Sequence, residues 1–198
     1  SQVSCDTSGI KEANTFDVKP AECEAALKTK LSKLRPTEGQ ADYIDWGQIG
    51  FLHYGINTYY NQEWGHGNED PSRIDPTGLD TDQWAKSFAD GGFKMIMVTV
   101  KHHDGFVLWQ SRYTKHGIMS TGFRDGKGDI LKDLSESCRK YGLKLGIYLS
   151  PADLYQIENP EGLYGNLSPY TKRTIPREVP GRPFANKTRF EFVVDDYN

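Results

Sequence analysis

The sequence predicts an α/β fold, specifically a (β/α)8 TIM-like barrel with only about the first three βα units present in this chain. Three observations carry this. Short apolar runs alternate with amphipathic helical segments, which is the signature of parallel βαβ units. The runs are nearly continuous rather than alternating, as expected of parallel strands buried on both faces. Long loops follow the strands and short turns follow the helices, a pattern that favours a barrel over a doubly wound sheet. No Gly-x-Gly-x-x-Gly follows the first strand, and Gly122 to Gly128 lacks the spacing and context of a phosphate loop, so it reads as an ordinary loop.

Residues 1–45 are expected to form an N-terminal extension with a short helix, and 46–198 the N-terminal part of the barrel. Ala21, Ala25, Leu27, Leu31 and Leu34 recur at helical spacing over about 20–34, and Pro36 stops that helix. The first strand is expected within 46–55, around Ile49-Gly50-Phe51-Leu52, followed by a long loop from Ile56 to Leu79. Asp80 and Gln83 form a potential capping box for a helix carrying Trp84, Ala85 and Phe88 on one face and ending at Gly91-Gly92. The second strand is expected at 93–100. Asp129 opens a further helix with Ile130, Leu131, Leu134, Cys138 and Tyr141 as its apolar stripe, and the third strand follows at 143–149. A loop rich in Pro, Gly, Asn and Tyr runs from Ser150 to about Lys187, and a last helix is expected from Thr188. A barrel of this type needs eight strands and about 250 residues. The 198 residues are therefore expected to be the N-terminal part of a longer polypeptide.

Composition narrows the function classes. With 36% hydrophobic and 26% charged residues the chain reads as a globular domain, and a net charge of −3 with scattered basic residues argues against nucleic acid as a partner. No run of about 18 apolar residues suggests a membrane span. The three cysteines give no disulfide framework: Cys138 is expected as a buried free thiol, while Cys5 and Cys23 either pair or stay free. Asn166-Leu167-Ser168 and Asn186-Lys187-Thr188 match the glycosylation acceptor pattern, which is common by chance. Aromatic residues reach 12%, including 11 Tyr and 4 Trp, and many fall near strand ends, favouring a carbohydrate or another small molecule.

The chemistry concentrates in Lys101-His102-His103-Asp104-Gly105-Phe106, with Trp109 just beyond. Two imidazoles, a carboxylate and an indole leave the carboxyl end of one strand, the edge where α/β folds bind ligands. Imidazoles donate and accept hydrogen bonds near neutral pH, and an indole offers an apolar face, which suits a sugar. Two other readings stand beside this one. His53, His102, His103, Asp104 and Glu63 could ligate zinc, as in a barrel metallohydrolase. However, the first strand carries no His-x-His, and adjacent histidines on an extended chain point to opposite sides. Trp64 and Trp109 could be core, as Trp84 is expected to be. His66 and His116 read as surface histidines, and Ser150 lacks the Gly-x-Ser-x-Gly elbow of a nucleophile.

Taken in order, Phe51-Leu52-His53-Tyr54-Gly55, Glu63-Trp64-Gly65, Asp75-Pro76-Thr77 with Asp82-Gln83-Trp84, Lys101 to Phe106 with Leu108-Trp109, and Gly146 to Pro151 resemble motifs of the α-L-fucosidases of glycoside hydrolase family 29. The resemblance covers about 46–155. The run Glu63 to Asp70 and the Tyr148-Leu149-Ser150-Pro151 ending resemble the branch acting on α-1,3/1,4-linked fucose, although Ala152-Asp153 departs from the Trp-Asp usual there. The resemblance implies a retaining glycosidase that needs no cofactor and no metal and acts on terminal α-linked L-fucose of fucosylated oligosaccharides or glycoconjugates. Retention needs two carboxyl groups about 5–5.5 Å apart. The nucleophilic aspartate and the acid/base glutamate are expected after Asn198, so no catalytic carboxylate is assigned here, and a chain ending there would be inactive. His53, Glu63, Trp64, His102, His103, Trp109 and Tyr148 are the expected substrate-binding residues. A truncated or inactive fucose-binding relative is the non-enzyme alternative. Enzymes of this kind are usually exported, giving periplasm or the extracellular space as the expected location.

Overall fold

The structure is a computed structural model that describes residues 5–159. The two acceptor triplets and the helix expected from Thr188 lie outside the described residues. The chain divides into two compact units, with the division between Gly47 and Gln48.

In the first unit Cys5 and Cys23 form a disulfide, with Cα atoms 6.1 Å apart. This resolves the alternative that the sequence left open. Helix α1 spans Glu24–Lys33. It starts later than the apolar spacing suggested because Cys23 occupies the N-cap, where Sγ accepts from the Ala26 N–H. The chain leaves the helix at the extended Leu34, two residues before Pro36, which cannot continue a helix. A second helix, α2, spans Glu38–Asp45 and was not anticipated. It carries a complete capping box: the Gln40 N–H donates to Thr37 Oγ1 at 3.1 Å, and the Thr37 N–H donates to Gln40 Oε1 at 2.8 Å.

The second unit is built on a parallel sheet of three strands, β1 (Ile49–Leu52), β2 (Met95–Lys101) and β3 (Lys144–Leu149), in the order β1-β2-β3. Phe51 lies opposite Met97, and Met97 opposite Gly146. Helices α3 (Asn57–Tyr60), α4 (Thr81–Asp90), α5 (Ile130–Lys140) and α6 (Leu154–Glu158) lie between and after the strands. This is the α/β order that the alternation predicts.

Period-2 alternation places Ile96, Val98 and Val100 on one face of β2. There they form the core with Ala85 of α4 and Ile130, Leu134 and Cys138 of α5. Gly50 is required on this face: a Cβ would sit 2.3 Å from the Phe88 ring. The two helices are also stitched directly, through Thr81 Oγ1 and Ser137 Oγ at 2.8 Å and an ion pair between Lys140 and Asp82 at 2.7 Å. Asp80 and Asp129 cap α4 and α5 as expected, accepting from the Gln83 and Lys132 N–H groups at 3.0 and 2.7 Å. The reciprocal half of the Asp80 box does not form, because the Gln83 amide donates instead to Ser87 Oγ.

The opposite face carries Phe51, Met97, Gly146 and Tyr148, and it leads to the carboxyl ends of the strands. Strand β2 runs one residue further than its apolar pattern, because Lys101 is buried in it. The register slips between Thr99 and Lys101, and this irregularity turns the chain into the His102-His103 loop. The loop after β1 is organised around Glu69, which is buried. Its carboxylate accepts from Gln62 Nε2 at 2.6 Å, the His66 N–H at 2.5 Å and the Gly67 N–H at 2.9 Å. These bonds hold its pKa below the usual value even though burial works against them.

Candidate functional site

Four of the seven expected binding residues form one aromatic cluster over the ends of β1 and β2. The His53 and His102 ring centroids are 4.7 Å apart, and those of His102 and His103 are 4.3 Å apart. Trp64 closes the group, 4.5 Å from His103 and 6.1 Å from His102. The indole is 58% exposed, which is unusual for a tryptophan and leaves one of its faces open. Tyr148, from the end of β3, joins at 6.0 Å from His102 and meets Phe51 edge-on.

The other two behave differently. Glu63 is exposed in the β1 loop, where its backbone carbonyl accepts from Asn57 Nδ2 at 3.0 Å. That bond fixes the loop position from which Trp64 reaches the histidines. Trp109 is half-buried and packs against the hydrophobic core, in keeping with the core alternative.

The electrostatics lower the basicity of the two histidines from the β2 loop. Burial, followed by the neighbouring His103 and His53, pushes the His102 pKa down to about 4. His103 is lowered by burial and by His53. Near neutral pH both rings are therefore uncharged, each with one donor and one acceptor nitrogen, which matches the hydroxyls of a sugar. Among the described residues, His102 Nδ1 is buried without a hydrogen-bond partner. No group of three or more His, Cys, Asp or Glu side chains among the described residues is arranged to hold a metal ion.

Beneath the rings lies a polar layer that the sequence reading did not assign. Lys101 and Asp153 are both fully buried and pair at 3.3 Å. Asp153 also caps α6, accepting from the Gln156 N–H at 3.0 Å. The α6 start then closes on the β2 loop: the Leu154 N–H donates to the His103 carbonyl at 2.8 Å, and the Tyr155 N–H to the Asp104 carbonyl at 3.3 Å. Gly105 permits this approach. Its φ is +85°, and a Cβ there would lie 2.1 Å from Asp153 Oδ1. His116, expected at the surface, is only 2% exposed. It stacks on Tyr155 at 4.4 Å and meets Phe106 edge-on. A charged residue inside an apolar strand (Lys101) and a capping spacing (Asp153 to Gln156) were the available sequence signals for this layer.

Asp104 sits in the same layer, with Oδ1 accepting from the Phe106 N–H at 2.7 Å. Burial, with Glu69 and Asp153 nearby, pushes its pKa up to about 6 from the ordinary 3.8. The folded state therefore holds this proton more tightly than the unfolded chain. That contribution to stability is complete below about pH 4 and is lost as pH rises through about 6. His102 and His116, both lowered to about 4 by burial, act in the opposite sense. Asp104→Asn leaves those histidines in place and removes only the carboxyl titration. Its stability relative to the parent is expected to rise by on the order of 2 kcal/mol between pH 4.5 and 7.5. Urea unfolding of the full gene product and its variant at the two pH values checks this; a constant difference would place the Asp104 carboxyl in water.

A parallel α/β sheet with an exposed indole and three imidazoles at its carboxyl edge defines an α/β protein whose candidate site lies where such folds bind ligands. Comparison with known proteins sharpens this. The family model for α-L-fucosidase matches residues 39–189. The chain belongs to the α-L-fucosidase family. It is 42% identical over 117 residues to α-L-fucosidase 1 of Arabidopsis thaliana, covering 57% of this chain and 23% of that protein. It is 35% identical over 100 residues to human plasma α-L-fucosidase, covering 50% and 20%. Among solved structures, a putative α-L-fucosidase from Bacteroides ovatus matches at 45% identity and a TM-score of 0.60, covering 62% of this chain and 21% of that one. A mutant Ruminococcus gnavus family 29 fucosidase in complex with fucose matches at 32% identity and a TM-score of 0.60, covering 80% and 30%. The chain thus spans about a quarter of the length of the first relatives it matches.

Proposed function

We propose that this chain supplies the fucose-gripping half of the active site of a retaining α-L-fucosidase that removes terminal α-1,3/1,4-linked L-fucose from glycans. The observation that carries the proposal is the convergence of His53, His102, His103 and Trp64 at the ends of β1 and β2, in a chain of the α-L-fucosidase family. In this reading the three parallel strands belong to a closed (β/α)8 barrel. The nucleophilic aspartate, on a fourth strand, and the acid/base glutamate further on are supplied from outside 1–198 in this reading, so 1–198 alone does not hydrolyse. The protein works in the periplasm or outside the cell.

The cluster has a definite task in such a reaction. Neutral imidazoles donate to and accept from fucose hydroxyls, and the exposed face of Trp64 packs against the sugar's C–H surface. Hydrogen bonds that shorten as the ring flattens toward an oxocarbenium-like transition state favour that state over bound substrate. The test is hydrolysis by the full gene product followed by proton NMR. The expected result is free fucose released first as the α-anomer, with α-1,3/1,4-linked trisaccharides cleaved faster than α-1,2-linked ones. First release of the β-anomer would overturn retention, and preference for α-1,2 linkages would overturn the linkage assignment. Binding of fucose with no release would make the protein a fucose-binding relative instead.

A further inference from the structure

The loop after β3 does more than cover the end of the sheet. Ser150 follows β3 directly and is completely buried. Its N–H donates to the Lys101 carbonyl at 3.0 Å, which ties the end of β3 to the last residue before the two histidines. Its Oγ lies 2.6 Å from His103 Nδ1. The backbone carbonyl of the same histidine accepts from Leu154 at 2.8 Å. His103 is thus held at its ring and at its backbone by one short segment, 150–154, and that segment is itself fastened through Asp153 to Lys101.

From this geometry we infer that Ser150 is a positioning residue for His103, fixing the ring plane and the tautomer so that Nε2 presents one constant hydrogen-bonding role to the sugar. A neutral imidazole otherwise exchanges its proton between two nitrogens, and a ring free to turn or exchange loses part of its contact with substrate. The contact to Nδ1 couples the two nitrogens: with Oγ–H donating, Nε2 carries the proton, and with Nδ1–H donating, Nε2 accepts, so the direction preferred across this one bond sets the role of Nε2. Trp64 at 4.5 Å limits rotation from the other side. Lys101 and Asp153 act one step further back. They keep 150–154 closed against the β2 loop, so the hydroxyl stays on the Nδ1 side.

The role as stated rests on the fucosidase reading, but the two can fail separately. In the full gene product, nitrogen-15 NMR of the His103 ring is expected to show a single tautomer with Nδ1 hydrogen-bonded. Ser150→Ala is expected to move that signature toward tautomer averaging. It should lower kcat/KM on an aryl α-L-fucoside by about tenfold, mostly through kcat, the size of effect a lost hydrogen bond gives. Ser150→Thr keeps the hydroxyl and should restore most of the rate. An averaged His103 signature in the parent protein would overturn the inference whether or not the variants fold. So would Ser150→Ala with unchanged ring shifts and unchanged kcat/KM, or Ser150→Thr as slow as Ser150→Ala. If the parent released no fucose, the functional reading would fall while the ring signature still decided the role of Ser150.

Discussion

Asp153→Ala is expected to destabilise the protein by about 3–5 kcal/mol, the largest stability effect predicted here. The reason lies in what the substitution leaves behind. Lys101 and Asp153 have no solvent exposure at their side chains and lie 3.3 Å apart. Burial pushes the Lys101 ammonium below its usual pKa more strongly than Asp153 pulls it up. The pair is therefore not a large net source of stability compared with an apolar core, yet each member depends on the other. Removing the carboxylate takes away the Asp153 counter-charge of a buried ammonium, leaving the more weakly acting Asp104, and also strips the N-cap from α6, worth about 1 kcal/mol. Asp153→Asn separates the two effects: asparagine caps a helix about as well as aspartate, so only the charge is lost. Urea midpoints of the full gene product should fall in the order parent, Asp153→Asn, Asp153→Ala. An Asp153→Ala midpoint equal to the parent's would mean that water reaches Lys101.

His103→Ala is expected to lower fucoside turnover on the order of 100-fold, the typical cost of removing a polar group that acts on the transition state. Its effect on stability should be small. The ring is only partly buried, it packs on the exposed Trp64 and the adjacent His102, and its loss removes the Ser150 Oγ contact at 2.6 Å, a hydrogen bond worth about 1 kcal/mol. This separation is what marks a substrate contact. A core histidine such as His116, 2% exposed and stacked on Tyr155, should lose stability and activity together. Turnover within twofold of the parent would remove His103 from the sugar site.

These two residues also show how far the sequence could be read. The strands, α4 and α5 were legible because burial on both faces writes a continuous apolar run and the capping aspartates sit at fixed offsets. The His102-His103 pair was legible because charged and aromatic side chains at the end of such a run have few structural reasons to be there. The pairing of Asp153 with Lys101 was not legible, although its capping spacing to Gln156 was there to be read. A loop aspartate reads as solvated until the chain places it against Lys101, and that contact is set by the parallel pairing of β2 with β3 rather than by local pattern. His116 failed for the same reason, since its partner Tyr155 lies on a later loop. Helix α2 was missed although Thr37 and Gln40 spell a capping box, because its polar sequence lacks the apolar stripe that was used to find helices. The Cys5–Cys23 bond was undecidable from spacing, and only the folded first unit brings the two together.

The most direct test of the central claim is a crystal structure of the full gene product with L-fucose bound. The account predicts the sugar at the carboxyl ends of β1 and β2, with its hydroxyls within hydrogen-bond reach of His53, His102 and His103 and Trp64 against its C–H face. Fucose bound elsewhere, with these rings facing protein or water, would contradict it.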